Sequence, residues 1–288
     1  MRRLLLLPLF AIAAIASAED RYSESFRPQF HFTPERNWMN DPNGMVYFGG
    51  EYHLFYQYNP FGNQWGHMSW GHAVSPDLVH WEHLPVAIPE ADGIMIFSGS
   101  AVVDWRNTSG FGDGDEPPLV AIYTGHHTGM KRQDQRLAYS TDRGRTWTNY
   151  SENPVLDLRM ADFRDPKVIW HGDSAQWVMS VSIPMERRVG FFGSPDLKHW
   201  RPLSEFGPAG STEGIWECPD LFPLDGKWVL VMNVGGGAPA GGSGCQYFVG
   251  EFDGRVFTPD RTTHPRLTAE PPSVPEGKLL ADFEDGYG

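Results

Sequence analysis

A short turn sequence recurs along this chain of 288 residues, and its spacing narrows the folds available. Ser75-Pro76-Asp77-Leu78-Val79-His80-Trp81 comes first. Ser140-Thr141-Asp142-Arg143-Gly144-Arg145-Thr146-Trp147 follows, and then Ser194-Pro195-Asp196-Leu197-Lys198-His199-Trp200. From Ser75 to Ser140 is 65 residues, and from Ser140 to Ser194 is 54. An Asp in such a turn accepts backbone N–H bonds, and the Trp packs beneath it. Repeats of about 50 residues rich in short strands indicate a β-propeller, with the turn joining the outer strands of each blade. A β-sandwich does not explain a four-strand period.

Segments rich in β-branched and aromatic residues, bounded by Gly, Pro, Asp and Asn, give the remaining strands. The first blade is predicted over 44–48, 51–58, 71–75 and 81–84. The second covers 97–104, 119–124, 136–140 and 146–150. The third covers 167–170, 177–183, 189–193 and 200–203, and the fourth 218–222, 227–233, 246–252 and 256–258. No convincing amphipathic helix is present. The glycine-rich stretch from Gly235 to Gly244 lacks the Lys and the helix of a phosphate site and reads as a long loop between strands.

Residues 1–18 read as a secretory signal: Arg2 and Arg3, an apolar run from 4 to 15, then Ala16-Ser17-Ala18 as a cleavage site. Cleavage near Ala18 implies a secreted or periplasmic protein with no membrane anchor in the mature chain. It also removes two arginines, taking the formal charge from −13 to −15. An acidic surface argues against nucleic acid or anionic lipid as a partner. Residues 19–29 form an N-terminal linker, 30–268 an incomplete propeller, and 269–288 a linker or the start of a further module. The only cysteines, Cys218 and Cys245, are too few for a disulfide framework, and Cys218 is expected as a free, buried thiol.

Three acids stand at equivalent starts of inner strands. Asp41 lies in Trp38-Met39-Asn40-Asp41-Pro42-Asn43-Gly44, Asp165 in Arg164-Asp165-Pro166, and Glu217 in Trp216-Glu217-Cys218-Pro219. Each alone reads equally as a turn former or surface carboxylate. Together, at the mouth of one channel, they can converge. Two carboxylates facing one bond are the minimum equipment for glycoside hydrolysis. Asp41, among amide donors, is expected to stay ionised. Glu217, between Trp216 and Cys218, is expected in less polar company that raises its pKa. His126-His127 lacks zinc spacing, and neither a metal nor a cofactor is expected.

The strings WMNDPNG at 38–44, RDP at 164–166 and EC at 217–218 closely resemble the signatures of glycoside hydrolase family 32, the invertases, inulinases and levanases. Supporting matches are Gln57 in FYQYNP, Trp65 in QWG, Phe97-Ser98 in FSGS, and GGSGCQYFVGEFDG at 241–254. The similarity runs from about Phe30 to Thr258. It implies a five-bladed propeller and a retaining β-fructofuranosidase acting on fructans (levan, inulin) or sucrose. It implies Asp41 as nucleophile, Glu217 as acid/base and Asp165 as transition-state stabiliser. Asn40, Gln57, Trp65, Phe97, Ser98 and Arg164 match substrate-binding positions. Trp38 is open between sugar contact and core packing. A sialidase-like or arabinan-type propeller hydrolase and a non-catalytic carbohydrate-binding propeller are the alternatives. With four blades counted against the family's five, the chain is expected to be a fragment, aggregating or weakly active alone.

Overall fold

The computed structural model describes residues 22–260, apart from 23, 29, 113 and 115. The signal and the segment from 261 onward therefore lie outside the described residues. Four antiparallel sheets follow one another, each in simple sequence order from inner to outer strand. The first contains β1 (Met39–Phe48), β2 (Glu51–Tyr58), β3 (Ser69–Ser75) and β4 (Glu82–Ile88). The second contains β5 (Ile94–Val103), β6 (Leu119–His127), β7 (Gln133–Ser140) and β8 (Thr148–Asn149). A further strand that the sequence reading did not include, β9 (Leu156–Met160), pairs with β7. The third contains β10 (Arg164–His171), β11 (Gln176–Ile183), β12 (Arg188–Ser194) and β13 (Arg201–Phe206). The fourth contains β14 (Ile215–Leu224), β15 (Lys227–Gly235), β16 (Gly244–Phe252) and β17 (Phe257–Pro259). This is the all-β, propeller-type arrangement expected, with four blades among the described residues.

The core lies between blades. Phe55, Trp70, Ile96 and Tyr123 fill the layer between blades one and two. Val120, Phe163, Met179 and Leu197 fill the next, and Phe191, Trp216, Leu230 and Phe248 the one after. Blade-on-blade burial explains why β3 and β11 are buried along their whole length. Met45 and Tyr47 of blade one and Tyr247 of blade four remain 65%, 55% and 63% exposed. Phe32 leads into the first blade and packs on Tyr56, Trp81 and His83.

The recurrent turns do join the outer strands. In the third blade Asp196 Oδ1 accepts the Lys198 and His199 N–H groups at 3.0 and 2.9 Å, and Oδ2 meets His199 Nδ1 at 2.7 Å. Asp77 repeats these bonds with Val79 and His80 at 2.9, 2.8 and 2.7 Å. Leu78 and Leu197 both take φ of 65°, a left-handed backbone that these Asp bonds hold in place. Trp200 closes the third turn by donating its indole N–H to the Leu197 carbonyl at 2.8 Å.

The inner strands differ from the sequence expectation in a way that builds the site. The acids were expected just ahead of these strands, yet Asp41, Asp165 and Glu217 lie inside them. Each inner strand carries an irregularity there. Between Met39↔Tyr58 and Pro42↔Tyr56, β1 advances three residues while its partner advances two. The same one-residue excess occurs between Ile96↔Gly125 and Gly99↔Tyr123, Arg164↔Ser182 and Lys167↔Ser180, and Glu217↔Asn233 and Asp220↔Val231. These are β-bulges, which leave a residue unpaired and re-aim side chains. Pro42, Pro166 and Pro219 fall within or at the edge of three of them, where a missing N–H breaks no ladder bond.

Substituting Asp196→Ala removes the oxygen that accepts two backbone N–H bonds and leaves the left-handed Leu197 with less support. Urea unfolding should show a loss of about 1–2 kcal/mol. An unchanged midpoint would mean that the turn contributes nothing to stability.

Candidate active site

The bulges of four inner strands open into one pocket of about 470 Å³. Its lining contains Asn40, Asp41, Gln57, Trp65, Phe97, Ser98, Arg164, Asp165 and Glu217. The structure thus brings together every site residue selected from the sequence. It also places His126, Gln133, Cys218 and Asn233 in the wall. Sequence reasoning weighed His126 only as a metal ligand and Cys218 only as a thiol, and it passed over Gln133 and Asn233. Those two sit at the start of β7 and near the end of β15, where no local motif marks them.

Asp41 is held from both sides. Ser98 Oγ donates to Oδ2 at 2.8 Å across the junction of blades one and two. Asn40 Nδ2 approaches Oδ1 at 3.3 Å, and Asn40 is itself oriented by the Trp38 indole N–H at 2.8 Å. Trp38 therefore acts behind the site, as a donor to Asn40. Two carbonyls of the blade-two bulge are anchored by blade one. Gln57 Nε2 donates to the Ile96 carbonyl at 2.9 Å and Trp70 Nε1 to the Phe97 carbonyl at 3.0 Å. Part of Gln57's hydrogen-bonding capacity is thus structural.

Asp165 is the deepest acid, 7% exposed. Its φ is 66° and that of Cys218 is 49°, both left-handed, at the bulges of β10 and β14. Asp165 N–H donates to Thr124 Oγ1 of blade two at 3.0 Å, and its Oδ2 accepts the Cys218 N–H of blade four at 2.9 Å. Burial pushes its pKa from 3.8 up to about 6, although the Cys218 N–H and Arg164 pull the other way. Burial also raises the Cys218 thiol, with Asp165, Asp41 and Glu217 adding to it, so the thiol stays protonated. Cys218 is partly buried and Cys245 exposed, and both are free.

Glu217 does not sit in the apolar company expected of it. Arg164 Nε and Nη2 both donate to its Oε1, at 3.1 and 3.0 Å. Trp216 is fully buried in the core, because neighbours on a strand face opposite ways. Among the described residues no hydrogen bond reaches Glu217 Oε2. Arg164 Nη1 continues to Asp162 at 2.8 Å and to Gln133 Oε1 at 3.3 Å. Burial opposes the guanidinium charge, yet Asp162, Asp165 and Glu217 hold its pKa above the ordinary arginine value. The Trp65 ring, 53% exposed, meets Phe97 edge-on at the rim. His127 turns away from the pocket to buried Asp134, at 2.7 Å. Among the described residues no group of three or more His, Cys, Asp or Glu is placed to hold a metal ion.

Residues 31–270 match the family model for the glycosyl hydrolases family 32 N-terminal domain. The chain belongs to glycosyl hydrolase family 32. It is similar to the levanase of Bacillus subtilis (strain 168), 57% identical over 261 residues, covering 88% of this chain and 38% of that protein. It is similar to the extracellular exo-inulinase of Aspergillus niger, 48% identical over 286 residues, covering 88% of this chain and 53% of that protein. The crystal structure of exo-inulinase from Aspergillus awamori superposes with a TM-score of 0.79 at 47% identity, over 85% of this chain and 54% of that one. The chain thus spans about half, or less, of the length of these family 32 relatives. Family membership sets aside the sialidase-like and arabinan-type readings.

The raised pKa of Asp165 has a stability consequence. The folded protein holds a proton on this carboxyl above pH 3.8, which the unfolded chain has already released. That stabilising contribution is complete below about pH 4 and is lost as pH rises through about 6. Asp165→Asn removes this titration. Relative to wild type, the variant should therefore be more stable at about pH 7 than at about pH 4.5, by urea unfolding at both. An identical difference at the two pH values would contradict the burial argument.

Proposed function

We propose that this pocket binds the terminal β-D-fructofuranosyl unit of a fructan or of sucrose and hydrolyses its glycosidic bond with retention. The observation that carries the reading is the convergence of three carboxyls and their polar partners in one pocket, on a family 32 chain. Asp41, oriented by Ser98 and Asn40, attacks the anomeric C2 and forms a fructosyl ester as the glycosidic C–O bond breaks. Glu217 gives its proton to the departing oxygen, then takes one from the water that hydrolyses the ester. Arg164 grips only Oε1, which leaves Oε2 as the oxygen that carries the proton. Asp165 accepts fructose hydroxyls, and its negative charge favours the oxocarbenium-like state. Asn40 and Gln57 offer amides to further hydroxyls, and Trp65 offers a flat face at the rim.

A deep pocket admits a chain end, so the reading extends to release of fructose one unit at a time. It also extends to export, supported by the signal-like residues 1–18 and by the name of the extracellular exo-inulinase relative. Among the described residues no helix is long and apolar enough to cross a membrane.

In the protein at its natural length, Asp41→Asn and Glu217→Gln should each lower kcat by at least about a thousandfold, about 4 kcal/mol of barrier. Near-normal turnover of a fructoside by Glu217→Gln would overturn the assignment. The first-formed fructose should keep the β-configuration by NMR, as expected for carboxyls about 5–5.5 Å apart. Inverted product would replace the nucleophile by a water-activating base. Early digests of inulin or levan should contain fructose; mainly oligosaccharides would point to an endo-acting cleft.

A further inference from the structure

The roles above leave His126 unused, although it lines the pocket. Its ring lies parallel to Phe97, centroids 4.5 Å apart and planes within 1°. Stacking fixes the plane of the imidazole but not which nitrogen carries the proton. Gln133 settles that. Its side chain is buried, 3% exposed, and Oε1 accepts the Phe163 backbone N–H at 2.8 Å and Arg164 Nη1 at 3.3 Å. Both partners can only donate, so the amide cannot be reversed. Gln133 Nε2 must then face His126 Nδ1, 3.3 Å away. An amide NH₂ is a donor only, so Nδ1 accepts and the neutral ring carries its proton on Nε2. Burial, with His127 and Arg164 adding to it and Asp162 opposing, holds the imidazole pKa below the ordinary value, which keeps the ring neutral.

Position gives this donor its target. Asp165 is at the floor, and Trp65, at 53% exposed, is at the rim beside the Phe97–His126 stack. Arg164 bonds both Glu217 and Gln133, and Gln133 faces His126, so a chain of hydrogen bonds links His126 to the acid. In the fructosidase reading that acid protonates the departing oxygen, which directs a donor on the same chain of bonds toward the leaving-group sugar. We propose that His126 is a specificity determinant whose Nε2–H donates to a hydroxyl of the leaving-group sugar, with Gln133 as the positioning residue that fixes its tautomer. This rests on the fructosidase reading of the pocket.

Two measurements test it, on the protein at its natural length. Long-range ¹H–¹⁵N NMR of the histidine side chains should show His126 protonated at Nε2 in wild type. Gln133→Glu, which puts an acceptor opposite Nδ1, should move the proton to Nδ1. Kinetics supply the second arm. His126→Phe keeps the stack on Phe97 but deletes the donor. It should lower kcat/KM for sucrose or a fructan trisaccharide about tenfold, the worth of one hydrogen bond at its upper range. Methyl β-D-fructofuranoside, which has no leaving-group sugar, should change by less than about twofold. His126→Gln, with an amide N–H near the Nε2 position, should recover most of the loss on the sugar-leaving substrates. A wild-type proton on Nδ1, equal losses on both substrate types, or no loss on either would overturn the proposal alone. Failure of the wild type to turn over any of these fructosides would overturn the fructosidase reading, and this inference with it.

Discussion

An extra residue at the pocket end of each inner strand is the constraint on which the rest of this molecule depends, and β1 carries a second between Asn43↔Phe55 and Val46↔His53. A regular ladder would send alternate side chains into the blade-to-blade layers and leave the channel mouth lined by whatever register dictated. The bulges break that alternation at one level, in all four blades. They also free backbone groups that then bond across blade junctions. Asp165 N–H reaches Thr124 of the preceding blade, and Cys218 N–H reaches Asp165. The Ser98 hydroxyl reaches back to Asp41. Bonds that fasten one blade to the next are therefore the same bonds that orient the acids. Site geometry and inter-blade packing cannot be varied independently here.

The electrostatic cost of this arrangement is concentrated at Asp165. Three carboxyls and one guanidinium share the pocket, and the most buried carboxyl is the one whose pKa burial raises. Arg164 offsets part of this by standing among Asp162, Glu217 and Gln133 at once. A planar guanidinium does that with donors spread over three nitrogens, whereas an ammonium carries all its donors on one atom. The backbone N–H of Cys218 supplies the other compensation without adding charge.

Much of this was legible in the sequence, for a physical reason. The Ser-x-Asp turns are local: Asp196 bonds amides two and three residues away, so the pattern survives as a string of letters. The spacing of those strings gave the blades. Asp41, Asp165 and Glu217 were legible through their motifs, and the pocket gathers all of them. The bulges were not legible, because register belongs to a pair of strands and the partner lies elsewhere in the chain. For the same reason Gln133, on a third strand, and Asn233, on a second strand, carried no signal. The environment of Glu217 was misjudged by treating chain neighbours as spatial neighbours. Trp216 points into the core, and the partner that matters, Arg164, is 53 residues away.

The repeated bulge also makes the blades a set of phases. Side-chain facing has period two along a strand, so losing one residue inverts every position beyond the loss. Deleting a single residue near Asp41 would leave the composition of β1 and the rest of its blade intact. The carboxyl and its neighbours would nevertheless exchange sides, acids toward the inter-blade layer and apolar groups toward the channel. Insertions or deletions in the loops between strands carry less of this penalty, because the strands on either side can keep their own pairing register. Length changes in this architecture are therefore confined to the connections between strands, while each inner strand must keep its residue count across the bulge.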